Sequence, residues 1–263
     1  MHNDDHPVGR SLTRRELVAL FGGSAAIAAV SQRTAGQAPA AALDQRPPDC
    51  VAQPQQTEGP FFVDEQLQRS DIRSDPATGK TTAGIPLGLQ LVVSQVTATG
   101  DCAVLSGAQV DIWHCDAAGV YSDVERRGVG TTGQRFLRGY QVTDAAGLVR
   151  FTTIYPGWYG GRAVHIHFKI RVPSAAGRTD EFTSQFYFND ALTDTVHARE
   201  PYSAHRGQRL VNSRDMIFRE GGAQLVLPVA EDGEGYAATY RIAMRPGEPA
   251  ARFGRGEAGT LIP

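Results

Sequence analysis

The 263-residue chain carries almost no net charge, a formal −2 at neutral pH, and has no basic tract to follow a phosphate backbone. Nucleic acid is therefore not an expected partner. No apolar run reaches the ~20 residues that a stable membrane span needs. The candidate from Leu17 to Val30, LVALFGGSAAIAAV, fits the h-region of an export signal instead. Thr13-Arg14-Arg15-Glu16-Leu17 before it resembles a twin-arginine signal, and Thr34-Ala35-Gly36-Gln37-Ala38 after it offers a cleavage region. Residues 1–38 are accordingly read as an export signal that sends the protein to the periplasm or beyond. About 225 residues would then remain, ample for one β domain.

Cysteine is scarce: Cys50, Cys102 and Cys115. Export permits a disulfide, and the odd count leaves one thiol over. Cys50 and Cys102 sit in turn-like surroundings, PPDCV and TGDCAVL, whereas Cys115 lies in the apolar run VDIWHC. This predicts a Cys50–Cys102 bond and a reduced, packed Cys115.

Solenoid repeats and the spacing of βαβ units are also lacking. What is there is a series of short β-rich runs divided by turn residues: residues 87–98, 107–116, 140–143, 148–154, 164–170, 182–188, 223–229 and 236–244. DAAG turns at 116–119 and 144–147 punctuate them. The pattern predicts an all-β, antiparallel β-sandwich over residues 61–263, a single domain preceded by an extended Pro/Gln/Ala-rich arm over 39–60. Residues 200–218 are irregular and are expected to supply loop and short-helix covering at one end.

One stretch does not read as scaffold alone. In RAVHIHFKI, residues 162–170, side chains two apart share a face of a strand. His165 and His167 then face one way while Val164, Ile166 and Phe168 face the core. Tyr121, just after the first DAAG turn, and Tyr159, in the PGWY loop, are end-of-strand residues expected on the same rim. Two imidazoles suit a borderline metal, and two phenolates add charge and hardness. With one hydroxide they balance three positive charges, which favours Fe(III). The HxH pair by itself also occurs in zinc and copper β proteins, or as hydrogen-bonded structural histidines. His114 reads as a satisfied structural or rim residue; Trp113, Tyr155 and Trp158 read equally as core or pocket wall.

GAQVDIWHCDAAGVY, GLVRFTTIYPGWYGGRAVHIHF and TSQFYF, with TEGPFF at residues 57–62, together resemble the intradiol ring-cleavage dioxygenase family over about residues 50–240. The resemblance implies non-haem Fe(III) on a β-sandwich, held by Tyr121, Tyr159, His165 and His167. It implies a catechol-type substrate and O2, with ring opening between the two hydroxylated carbons to a cis,cis-muconate-type product. Tyr159 is assigned as the ligand that substrate displaces and Tyr121 as the one retained. Arg162 matches the arginine beside the reacting ring, and Gln185 a polar residue orienting a ligand or that arginine. The chain departs from catechol-specific members in lacking a long N-terminal helical region. Only Gly160 and Gly161 separate Tyr159 from Arg162, where relatives commonly carry a longer loop. That shortening is expected to open one pocket wall.

Two other classes compete. A copper or zinc β-sandwich enzyme explains the histidines but leaves the tyrosines and Arg162 incidental. A carbohydrate-binding or adhesion sandwich explains the turns but gives the cluster no purpose. The preferred catechol and the oligomeric state, homodimer included, are not fixed by any residue pattern.

Overall fold

Two sheets face one another across an apolar interior in the computed structural model, which describes residues 50–126, 129–173 and 177–245. The expected export signal and the beginning of the arm lie outside the described residues. Residues 50–59 run along the sandwich without helix or strand. Eleven strands follow in chain order. β1 is Pro86–Val96, β2 Cys102–Val104, β3 Gln109–Trp113, β4 Glu125–Arg126, β5 Val129–Gly130 and β6 Arg138–Val142. β7 is Leu148–Ile154, β8 His165–Pro173, β9 Thr179–Tyr187, β10 Ala230–Asp232 and β11 Gly235–Met244.

One sheet runs β6-β3-β8-β9. In the other, β1 pairs with β11 on one edge and with β7 and β2 on the other, while β10 pairs with β11. The β1–β11 pairing is parallel and the remaining ladders are antiparallel, so the sandwich is mixed rather than purely antiparallel. The reason is topological: a hairpin sets β11 antiparallel to β10, but β1 and β11 are joined only through most of the intervening chain, which leaves a parallel pairing open to them.

Alternation along the strands fills the interior. Leu87, Leu89, Leu91 and Val93 of β1 meet Val110 and Ile112 of β3 and Ile166, Phe168 and Ile170 of β8. Phe168 stacks on Phe186 at 4.2 Å between ring centroids. Yet every residue of β8 from His165 through Ile170 is buried. The arm covers the second face: Gln56 N–H donates to Thr183 O at 2.9 Å, and Glu58 pairs with Lys169.

Two segments differ from the sequence expectation. Residues 223–229, expected as a strand, instead contain a 3-10 turn, Gly222–Leu225, followed by a single bridge between Val226 and Tyr187. Leu225 and Leu227 are buried there without a ladder, and burial alone does not distinguish a strand from a packed turn. Asp190–His197 forms a helix, α1, that the sequence reading left unassigned. Asn189 caps it by accepting the Leu192 N–H, but only Thr193 and Val196 are buried, too thin a stripe to announce a helix. The irregular region 200–218 holds 3-10 turns at Tyr202–Ala204 and Asn212–Arg214 and reaches into a short helix, α2, Met216–Arg219.

Cys50 and Cys102 are bonded, with Cα atoms 5.2 Å apart, and Cys115 is free and buried. The bond ties the arm to β2 across 52 residues. Replacing both cysteines by serine should lower unfolding free energy by about 2–4 kcal/mol. Phe168→Ala should cost about 3–5 kcal/mol. Chemical denaturation of the two variants checks both values, and an unchanged midpoint for either refutes the corresponding role.

Candidate metal centre

His165 and His167 project from the face of β8 opposite Ile166 and Phe168, where β3 and β9 fix their neighbours. His167 lies opposite Trp113 of β3 and Gln185 of β9, and His165 lies opposite Tyr187. Trp113 stacks flat on His167, 4.9 Å between centroids and 6° between planes.

The two tyrosines arrive on interlocked loops. Asp116 Oδ1 accepts the N–H groups of Ala118 and Val120, shaping the turn that delivers Tyr121. Gly119 in that turn has φ +80° and lies so close to the Trp158 carbonyl that a Cβ would sit 2.1 Å from its oxygen. Gly157 reciprocates, with Cβ space already taken by the Asp116 carbonyl at 2.3 Å. The turn before Tyr121 and the loop before Tyr159 therefore dock backbone to backbone, which only glycine allows.

The result is convergence of four donor atoms. From His165 Nε2, His167 Nε2 is 3.0 Å away, the Tyr159 hydroxyl 3.3 Å and the Tyr121 hydroxyl 3.4 Å. The 57–62 segment closes over them. Gly59 packs against the His167 ring, Phe61 stacks on Tyr121 at 4.4 Å, and Phe62 tilts onto Trp113 at 4.8 Å.

Electrostatics favours ligation by neutral imidazoles. Burial, reinforced by Arg162 and His167, holds His165 well below the ordinary histidine range; burial and Arg162 do the same to His167. His165 Nδ1 lies 2.6 Å from Ala163 O, an acceptor only, so Nδ1 carries the proton and Nε2 presents its lone pair to the centre. Burial and the neighbouring Tyr159 push Tyr121 well above the usual phenol range, and burial also raises Tyr159, against the pull of Arg162. Two desolvated phenols beside two neutral imidazoles form an oxygen–nitrogen donor set that a hard, highly charged cation would stabilise as phenolates. Among the described residues no three His, Cys, Asp or Glu side chains gather as a metal-binding group. The phenols complete what the imidazoles begin, and the donor set fits a metal.

Arg162 lies at the edge of this centre and is held on two sides. Its Nη2 donates to Gln185 Oε1 at 2.5 Å, and its Nε donates to Asp215 Oδ2 at 3.0 Å. Gln185 is fixed in turn by donating to Thr57 O at 2.9 Å. All six candidate residues thus meet in one region: Tyr121, Tyr159, His165 and His167 around a point, Arg162 and Gln185 beside it. His114 is elsewhere, buried and satisfied between Cys115 O at 2.8 Å and the Thr153 hydroxyl at 2.6 Å. Trp113 is a wall residue and Tyr155 a core residue.

Sequence reasoning missed Asp215. This carboxylate is fully buried, with Oδ2 accepting from Arg162 and from Ala163 N–H at 2.8 Å. Its Oδ1 caps α2 through Ile217 N–H at 2.8 Å and Phe218 N–H at 3.3 Å. The Asp before Met-Ile-Phe is legible as a helix cap; its grip on Arg162, 53 residues away, is not. Tyr187 and Gln56 were likewise missed: the Tyr187 hydroxyl donates to Gln56 Oε1 at 2.9 Å behind the arginine.

The sequence profile described as Dioxygenase matches residues 57–226. An intradiol ring-cleavage dioxygenase from Tetranychus urticae is 28% identical with a TM-score of 0.65, over 77% of this chain and 98% of that one. The dioxygenase domain of a dioxygenase carbohydrate-binding protein fusion from Streptomyces sp. SirexAA-E is 26% identical with a TM-score of 0.50, over 74% and 99% of the two chains. Catechol 1,2-dioxygenase 1 of Acinetobacter lwoffii is 26% identical over 152 residues, 49% of this chain and 45% of its own. The chain thus spans about half the length of that curated relative. It belongs to the intradiol ring-cleavage dioxygenase family.

Removing Asp215 leaves a largely buried guanidinium without its carboxylate. Asp215→Ala should therefore cost about 3–5 kcal/mol, read by urea denaturation. Asp215→Asn, which keeps the shape, should cost less; equal stability of Asp215→Ala and the parent would contradict this account.

Proposed function

We propose that the protein is an Fe(III)-dependent dioxygenase that opens a catechol-type ring between its two hydroxylated carbons, placing both atoms of O2 in a cis,cis-muconate-type dicarboxylate. The observation that carries this reading is the convergence of two imidazole nitrogens and two phenol oxygens within 3.4 Å of His165 Nε2. Tyr121, Tyr159, His165 and His167 would hold the ferric ion, which when bound supplies a Lewis-acid seat for the catecholate and makes its ring reactive towards O2.

The chain's own residues divide the remaining work. Tyr121 is 3% exposed and clamped beneath Phe61, which suits a permanent ligand. Tyr159 is half-buried on a loop ending in two glycines, which suits a ligand that withdraws and takes a substrate proton on its phenol oxygen. Arg162 offers fixed positive charge where the ring becomes anionic, held in place by Gln185 and Asp215 rather than reorganising during reaction. Phe61, Phe62 and Trp113 exclude water from the imidazole side. Export through a twin-arginine route belongs to the same proposal, and the Cys50–Cys102 bond supports an oxidising destination.

Purified protein reconstituted with ferric ion should hold one iron per chain and show a red-brown tyrosinate charge-transfer band. His165→Ala or His167→Ala should remove both, and Tyr159→Phe should keep iron while impairing catechol binding. Arg162→Ala should retain iron and catechol binding while turnover falls by about 10²–10³. Mass analysis after reaction under ¹⁸O2 should find both labelled atoms in the dicarboxylate. Stoichiometric zinc without iron-dependent activity, or a semialdehyde from cleavage outside the diol, would overturn the assignment.

A further inference from the structure

A second concavity, about 920 Å³, adjoins the metal centre without containing any of its four donor residues. Its lining includes Trp158, Gly161, His205, Arg206, Arg209 and Arg214. Two of these tie it to the site. Gly161 directly precedes Arg162, and Arg214 directly precedes Asp215, so the cleft borders the Arg162–Asp215 pair on both of its chain segments.

The cleft carries a modest excess of cations: Arg206, Arg209 and Arg214 line it, against the Asp190 and Asp194 carboxylates. Both carboxylates engage Arg209, at 2.5 Å and 2.8 Å. Arg206 and Arg214 are exposed, and among the described residues no acidic group lies within ion-pair distance of either guanidinium. Beside these two free cations stands a flat aromatic floor: Trp158 and His205 stack at 4.1 Å with 4° between their planes. Gly207 abuts the Trp158 ring, where a Cβ would approach to 2.7 Å, so only glycine leaves the ring its place. Between Tyr159 and Arg162 the chain carries only Gly160 and Gly161, both exposed, and a Cβ at either would meet nothing within 4 Å, so no side chain stands between the loop and the cleft at these two positions.

We propose, on the footing of the ring-opening function above, that this cleft is a substrate subsite for the carboxylate-bearing arm of an extended catechol. The diol end would occupy the metal centre. The arm would leave past Gly160 and Gly161, lie along the Trp158–His205 platform, and end against Arg206 and Arg214. Guanidinium groups suit this task because their planar donors match a carboxylate edge. A small catechol would engage none of this, so the subsite selects by length and charge together.

The test compares 3-(3,4-dihydroxyphenyl)propanoate with its methyl ester, which keeps the reach and removes the charge. Titration calorimetry without O2 on the full-length, iron-loaded protein should show the acid binding about fivefold more tightly at low salt, the scale of exposed ion pairs. The preference should shrink as ionic strength rises. In the Arg206→Ala/Arg214→Ala double variant, the ratio of the two affinities should fall to about one. Native protein that binds the acid no more tightly than the ester, or a double variant that keeps the preference, overturns the subsite. Ring opening of unsubstituted catechol, assayed in parallel, tests the chemistry separately. Its absence would count against the proposed reaction, while the calorimetric ratio would still decide the fate of the cleft.

Discussion

Everything at the centre depends on the register of β8 between β3 and β9. Ile166, Phe168 and Ile170 enter the interior on one face while His165 and His167 face the arm on the other. A slip of one residue would send the imidazoles into hydrocarbon and the phenylalanine into the metal centre. The hydrophobic interior therefore holds the donor atoms in place without touching them. The same ladder brings Gln185 opposite His167, so the support for Arg162 is set by that register as well.

A second layer of constraint acts through backbone rather than side chains. The loops bearing Tyr121 and Tyr159 meet at Gly119 and Gly157, where carbonyl oxygens occupy the space of absent side chains. The docking lies ahead of both tyrosines, so it sets the two loops against each other and leaves the Tyr159 phenol its own movement. Arg162 is braced differently, by a buried carboxylate that also starts a short helix. Any disturbance of α2 is transmitted to the guanidinium through Asp215, although α2 itself contributes nothing to the metal centre.

How much of this was legible follows from the range of the interactions involved. Alternation in VHIHFKI revealed both faces of β8, because strand periodicity is local. Turn residues around Cys50 and Cys102 pointed to the pair that is bonded, and Cys115 declared itself by its apolar neighbours. That the six candidate residues would lie together was legible through the family resemblance and the strand pattern. Asp215 was not, since no local pattern tells a helix cap that its second oxygen will meet an arginine. The parallel return of β11 was hidden for the same reason: strand direction is a property of the whole connection. Residues 223–229 misled because a short apolar segment is buried equally well as a turn.

The arm gives the molecule an order of events. Residues 54–57 are synthesised before any of the described strands, yet their partners come much later: Pro54 O accepts from Ser184, Thr57 O from Gln185, and Gln56 from Tyr187. The arm cannot settle until β9 has emerged and paired with β8. Without those partners the arm has no seat over the face of β8 that bears His165 and His167. The roof over the candidate metal centre thus rests on contacts between residues 128 to 131 apart in the chain.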